Sequence, residues 1–164
     1  MRRPALLALG LVVVVVALAA GCGREPAFED RTAQVTVDGD ATTYQVDGCV
    51  LDGQTAYVVG RADDGAVVQA VVGVEADGET GVPTSTGLTV TEGELPVTAF
   101  GDEAWARRGE TGDAPGSIDS ARIRGARIQA SGQAQPVAVD GSPTSADPVP
   151  VSFDARCDDP DADG

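Results

Sequence analysis

The three cysteines are the residues whose type and spacing could do chemistry in this chain. Cys22 closes an apolar N-terminal segment, whereas Cys49 and Cys157 stand 108 positions apart in the remainder. A thiol can be acylated, oxidised to a disulfide or bound to a metal. The chain contains no histidine, lysine or CxxC motif. This excludes Cys–His nucleophiles, His ligands for zinc, Schiff-base lysines and a CxxC redox centre.

The segment before Cys22 has the three parts of an export signal. Arg2 and Arg3 make a positive start, residues 5–20 are almost free of polar atoms, and small residues precede the cysteine. The apolar run is shorter than the ~20 residues that span a bilayer, so a permanent transmembrane helix is the weaker reading. The ending Leu-Ala-Ala-Gly-Cys resembles the lipobox of bacterial lipoproteins, whose cysteine carries acyl chains such as palmitate. We predict a cleaved lipoprotein signal peptide at residues 1–21 and lipidation of Cys22. An ordinary secretory signal with a chance cysteine is the alternative.

Size and charge bound the rest of the chain. Cleavage leaves 143 residues, the size of one domain, with nine arginines against 26 acidic residues and a net charge of −17. The sequence has no cluster of basic residues large enough to bind nucleic acid. Its acidic surface also opposes flat contact with anionic lipid. We therefore predict a monomer on the extracytoplasmic side of the cell membrane, held by the acyl chains on Cys22.

Export also sets the redox state of the other two cysteines. An oxidising compartment makes a disulfide between Cys49 and Cys157 the default, with two buried free thiols as the alternative. The chain-entropy model gives ~4.7 kcal/mol for a loop of this size, an upper-side figure because native strain subtracts from it.

Short alternating runs separated by Asp-Gly pairs predict the element type. Gly accepts positive φ without steric cost and Asp tolerates it, so the six Asp-Gly pairs indicate tight turns. Between them lie β-branched runs at 33–37, 44–46, 55–59, 66–74, 88–91, 97–100 and 126–134, and residues 118–123 could lead into the last of these. We predict an all-β fold: an antiparallel β-sandwich of about seven to eight short strands with one disulfide.

The end of the chain gives the clearest strand. Val149, Val151, Phe153, Ala155 and Cys157 alternate with polar residues and Pro150, which places Cys157 on the core face. Residues 102–108 predict a short helical turn, and 101–116 and 136–148 predict long loops. The domain boundaries are then a polar tether at 22–31, the sandwich at 32–157 and an acidic flexible tail at 158–164.

These features together resemble the LpqH-type mycobacterial and actinobacterial lipoprotein antigen family. The matching residues are the cysteines, Val35-Thr36-Val37-Asp38-Gly39, residues 128–134 and the segment 151–157. The resemblance implies a disulfide-held sandwich, display on the cell envelope, no enzymatic activity and recognition of the acylated N-terminus by host Toll-like receptors. Residues 23–31 contain no Thr or Ser, so the O-glycosylated tether of that family has no counterpart here.

Three residues form the candidate interaction site. Trp105, Arg107 and Arg108 stand together in a loop, a composition typical of binding hot spots. The alternative, which we favour, is that Trp105 folds back and caps the open end of the sandwich, because large aromatic residues are mostly buried.

Other candidate sites are weaker. Residues 159–164 imitate the start of a calcium loop but lack its bidentate Glu, so we predict no metal. Arg122, Arg124 and Arg127 are expected to form internal ion pairs. Asp and Glu are so frequent that no catalytic pair stands out, and we predict no enzyme and no cofactor.

Two functional hypotheses follow. The first is a non-enzymatic, lipid-anchored envelope protein for surface display or protein interaction. The second is a small envelope carrier that binds a lipid or other hydrophobic ligand in the sandwich core, lined by the segment 66–74. An envelope hydrolase, a third reading, would require clustered carboxylates of raised pKa in a cleft.

Overall fold

Ten strands and one short helix make up the chain that the structure, a computed structural model, describes. It describes residues 31–74, 79–80, 84–92, 95–110, 112–138 and 140–157. The predicted signal peptide, Cys22, the tether up to residue 30 and the tail 158–164 lie outside the described residues. The elements are β1 Thr32–Val37, β2 Asp40–Asp52, β3 Thr55–Arg61, β4 Val67–Gly73, β5 Glu79–Thr80, β6 Gly87–Thr91, β7 Val97–Phe100, α1 Asp102–Arg107, β8 Ser117–Arg124, β9 Arg127–Pro136 and β10 Val149–Arg156.

Eight of these strands close into an antiparallel β-barrel. The order is β10-β1-β2-β3-β4-β6-β7-β9, and β9 pairs back with β10 to complete the ring. The closing strand is β9, which pairs with β10 over residues 127–134 and with β7 at Gln135 and Pro136. Strand β8 pairs with the free side of β9, and β5 adds two residues to β8.

The predicted sandwich is therefore wrong, although the all-β class is confirmed. A sandwich strand and a barrel strand both alternate inward and outward residues, so the sequence pattern does not separate them. The difference lies in the length of β9. Its ten residues are enough to pair with β10 and then turn to β7, which removes the open edges that two separate sheets would have.

Small apolar side chains fill the barrel. Each strand directs alternate residues inward, as the burial of Val151, Phe153 and Ala155 in β10 shows. The predicted final strand and the core position of Cys157 are thus confirmed. Many inward residues are alanine or valine, which suits the narrow interior of an eight-stranded barrel. The core contains Ala33, Val35, Tyr44, Val46, Ala56, Val58, Val68, Ala70, Val72, Leu88, Val90, Ala99, Ile128, Ala130, Ala134 and the β10 residues.

The Asp-Gly pairs fall into two groups. Asp38 and Gly39 both have positive φ and join β1 to β2, as a tight hairpin turn requires. Asp47-Gly48, predicted as a turn, instead lies inside β2, where a β-bulge between Val46 and Gly48 shifts the register with β3. The extra residue bends the strand without ending it. Asp77-Gly78 lies outside the described residues.

The up-and-down strand order gives the barrel two distinct ends. We call the end at which β1 begins the proximal end. It also carries the β2–β3 turn, the start of β6, helix α1 after β7, the β8–β9 turn and the end of β10. The distal end carries the β1–β2, β3–β4, β6–β7 and β9–β10 connections.

Candidate functional site

The disulfide closes the proximal end. Cys49 and Cys157 are bonded, with their Cα atoms 5.8 Å apart, so the predicted pairing is confirmed and the free-thiol alternative is wrong. The bulge at Asp47 bends β2 toward the end of β10, and the Cys157 backbone N–H donates to the Ala126 carbonyl at 2.8 Å. The last residue of the described chain is thereby held to both the β2–β3 hairpin and the β8–β9 turn.

Trp105 is folded back against the barrel, but it covers the outer wall and not an open end. The residue is 9% exposed, and its ring lies 5.5 Å from the ring of Phe100, centroid to centroid. The Phe100 ring in turn lies against the bare backbone of Gly87, where a Cβ would come within 2.4 Å of it. Phe100, Ala104 and Trp105 thus form a second, smaller apolar cluster outside the main core.

The two arginines of the candidate interaction site have separate roles. The Arg108 guanidinium stacks over the Phe100 ring, 5.2 Å from its centroid, a cation–π contact. Arg107 pairs with Glu103 one helical turn earlier, and this charge order suits the short helix because the acid precedes the base. The structure therefore brings Trp105 and Arg108 together around Phe100, whereas Arg107 pairs with Glu103. An interaction through these residues stays a prediction.

Two enclosed polar atoms lie beside this cluster without a hydrogen-bond partner. They are the indole Nε1 of Trp105 and the hydroxyl of Thr98. Both residues line a cavity of about 310 Å³ between β7, α1 and the β9–β10 connection. Glu110 and Arg108 also line this cavity.

An apolar stripe crosses the outer wall of the barrel beside the cluster. The register places Val50, Tyr57, Val71, Gly87 and Phe100 in one row on five neighbouring strands. Val50 is 59% exposed and Tyr57 is 47% exposed, whereas Phe100 is buried. Sequence reasoning missed this stripe because its members come from different strands and meet only through the register.

A polar hollow of about 510 Å³ lies on the opposite wall, over β1, β10, β9 and β8. Its carboxylate, Asp154, accepts two hydrogen bonds from Arg127, at 3.0 and 2.6 Å, and one from Gln129 at 2.8 Å. The ion pair predicted for Arg127 is confirmed. Because Asp154 is held by three donors, it is a structural group and not a free general base.

At the distal end a tyrosine hydroxyl meets a carboxylate. Tyr44 points into the barrel and donates a hydrogen bond to Glu92. Burial of the ring, and then the bond and charge of Glu92, raise the pKa of the Tyr44 hydroxyl far above its ordinary value. This pair fixes the β6–β7 connection to the interior of the barrel.

The parts of the chain that the structure describes hold no group of three or more acidic or cysteine side chains arranged to bind a metal ion. Within the same residues, no helix has the length and apolar character needed to cross a bilayer. The calcium-like pattern at residues 159–164 lies outside the described residues.

Comparison with known proteins adds no relative. No protein-family model matches the chain, and no curated protein matches it. The resemblance to the LpqH-type antigens therefore stays a prediction.

Proposed function

We propose that this protein is a lipid-anchored protein of the cell envelope that displays a disulfide-stapled β-barrel and acts by contact. The observation that carries the proposal is the pairing of Cys49 with Cys157, which uses both cysteines other than Cys22. A disulfide that closes 108 residues is typical of an exported domain. Cys22 then stands alone as the acyl acceptor, ten residues before the first strand.

The proposal assigns no catalysis to the barrel. Two carboxylates beside a cavity or the core make structural contacts, Asp154 with Arg127 and Glu92 with Tyr44. Asp102, Glu110 and Asp113 line a further cavity of about 460 Å³ next to Trp105. A catalytic acid or base needs a side chain that can gain or lose its proton against a substrate. Lining a cavity does not by itself identify such a group, so we do not propose an envelope hydrolase.

The filled interior favours contact through the outer surface over a ligand held inside. Val68, Ala70 and Val72 of the segment proposed to line a carrier pocket pack into the common core with Phe153 and Leu88. A carrier needs an interior space of several hundred Å³ for a drug-sized ligand. The cavities of this size described above lie on the outer wall.

The intact mass of the protein from the membranes of its own host tests the proposal. We expect loss of residues 1–21, added acyl mass on Cys22 and a gain of two hydrogen atoms on reduction. Cys22→Ser should remove the acyl mass, whereas Cys49→Ser with Cys157→Ser should keep it and lose the reduction shift. An unacylated mature chain in the culture medium would contradict the anchor.

A further inference from the structure

The exposed apolar side chains of the barrel are concentrated on one hairpin. Among the described residues, five large apolar side chains are exposed, and four of them lie on β2 and β3. Val50 is 59%, Tyr57 47%, Val59 40% and Leu51 39% exposed. The fifth, Leu95, lies at the distal end. Apolar surface gathered at one place on a soluble domain marks an interaction site.

This hairpin continues past the end of β1 as part of the barrel wall. Thr32, the first residue of β1, pairs with Gln45, and β2 continues seven residues further, to Asp52. Strand β4 pairs with β3 as far as Thr55, and Cys49 is bonded to Cys157 with their Cα atoms 5.8 Å apart. The tip of the hairpin thus lies at the proximal end, beside the disulfide.

The length of chain before β1 limits where this tip can be. Nine residue steps separate Cys22 from Arg31, a reach of at most about 30 Å. If Cys22 is acylated, as in the proposed function, the proximal end cannot leave the neighbourhood of the bilayer surface. The apolar hairpin at this end is then held within reach of the lipid.

Charge favours the same orientation. The described residues of the distal connections and of the strand ends that they join contain seven carboxylates and one arginine, Arg61, so this end is repelled by an anionic surface. The carboxylates are Asp38, Asp40, Asp63, Asp64, Glu92, Asp140 and Asp147. The proximal end is mixed in sign. Among the described residues there, the acidic Asp52, Asp102 and Glu103 are interspersed with arginines. The arginines are Arg31, Arg107, Arg108, Arg124, Arg127 and Arg156.

We propose that the tip of the β2–β3 hairpin is a membrane-contact surface. Val50, Leu51 and Tyr57 enter the headgroup region of the bilayer, with the tyrosine hydroxyl at the level of the polar headgroups. The inference rests on the proposed acylation of Cys22. The hairpin contact orients the barrel, so that the acidic distal end faces away from the membrane.

Fluorescence depth measurement on the acylated full-length mature protein tests this surface. Val50→Trp places a reporter at the tip, and Ser145→Trp, at an exposed distal position, is its matched control. Both are reconstituted into phosphatidylethanolamine–phosphatidylglycerol vesicles with brominated acyl chains. The parent, whose single tryptophan is the buried Trp105, gives the baseline. We expect a blue shift and several-fold stronger quenching for Val50→Trp and neither effect for Ser145→Trp.

A second pair of variants tests the apolar nature of the contact. In the Val50→Trp protein, Leu51→Asp should abolish most of the quenching, whereas Leu95→Asp, the same change at the distal end, should leave it unchanged. Both leucines are exposed, 39% and 42%, so neither change removes a core residue. Unfolding curves that match the parent check the fold.

Vesicle flotation separates the two proposals. Protein that floats with the vesicles while Val50→Trp and Ser145→Trp are equally unquenched would leave the anchor standing and overturn the hairpin contact. A blue shift without bromine quenching would mean that protein covers the hairpin, which also overturns it. Failure to float, with no acyl mass on Cys22, would reject the proposed function and the contact with it.

Discussion

The two ends of the barrel are held together by different means. At the proximal end, where the described chain both begins and ends, a disulfide and the Arg127–Asp154 ion pair join residues that are 108 and 27 positions apart in the sequence. At the distal end, three of the four connections are short, and the bond between Tyr44 and Glu92 reaches into the core. Short hairpins close with little loss of chain entropy, whereas chain ends need cross-links to stay in place. The comparison teaches that the Cys49–Cys157 disulfide lies at the end of the barrel where the chain ends would otherwise separate first.

Removal of the disulfide is the most severe test of this difference. Replacing Cys49 and Cys157 together by Ser should lower the free energy of unfolding by about 2–5 kcal/mol, because the unfolded chain regains the freedom of a 108-residue loop. Denaturant unfolding followed by circular dichroism measures the loss. The parent protein unfolded in reductant should show the same midpoint as the double variant. An unchanged unfolding midpoint would mean that the stability of the proximal end does not depend on the disulfide.

The outer cluster at the proximal end is tested at Gly87. Gly87→Ala places a methyl group within 2.4 Å of the Phe100 ring, so the ring and Trp105 behind it must move. We expect a loss of about 1–3 kcal/mol, as for overpacked sites, and a shift in Trp105 emission. Gly48→Ala is the matched control, because its Cβ would meet no atom within 4 Å. Equal stability of the two variants would contradict the close packing of Phe100.

At the distal end, Tyr44→Phe removes the bond to Glu92 and should lower stability at neutral pH by about 1 kcal/mol. The raised pKa of Tyr44 adds a pH dependence. The unfolded tyrosine ionises first, near pH 10. The stabilisation is therefore complete below about pH 10 and is lost as pH rises toward the folded pKa, by up to about 1.4 kcal/mol per pH unit.

Unfolding free energies measured at several pH values from 9 upward check that stability falls as the pH rises. Tyr44→Phe should flatten the decline, whereas Tyr57→Phe, on the outer wall, should retain it. A parent protein whose stability does not change through this range would contradict the burial of the Tyr44 hydroxyl.

The smallest effect is expected at Asp140, on the distal β9–β10 connection. Hydrogen bonds from the Ser142 hydroxyl, at 2.6 Å, and from its backbone N–H, at 3.0 Å, lower the pKa of this carboxyl. Its contribution to stability is present above the ordinary Asp pKa of about 4 and is lost as pH falls through the lowered value. Ser142→Ala should raise the pKa, measured by NMR titration of the carboxyl carbon, while Ser145→Ala should not.

Much of the strand content could be predicted from the sequence, because alternation and turn residues are local signals. The inward set of β10, the short helix at Asp102–Arg107 and the pairing of Cys49 with Cys157 are confirmed. Closure of the barrel could not be predicted in this way. It depends on which strands β9 pairs with along its length, and the alternation of β9 is the same in either architecture.

Two local signals were ambiguous for physical reasons. Asp47-Gly48 has the composition of a turn, but a bulge accepts the same residues, and pairing with β3 continues through it. The exposed apolar stripe could not be predicted, because Val50, Tyr57 and Val71 belong to three strands and the sequence does not show their register. The anchoring of Cys22 and the roles of Arg107 and Arg108 stay predictions.

Closure of the hydrogen-bond ring has a consequence for association between copies, should the proposed anchor concentrate them on a membrane. Each of the eight barrel strands already has two neighbours, so only short edges are left for a strand of another copy to pair with. Among the described residues these edges are the outer side of β8 beyond its two pairs with β5, and the part of β2 beyond Gln45. We expect crowded copies, each with a large net negative charge, to repel one another and not to join through their strands.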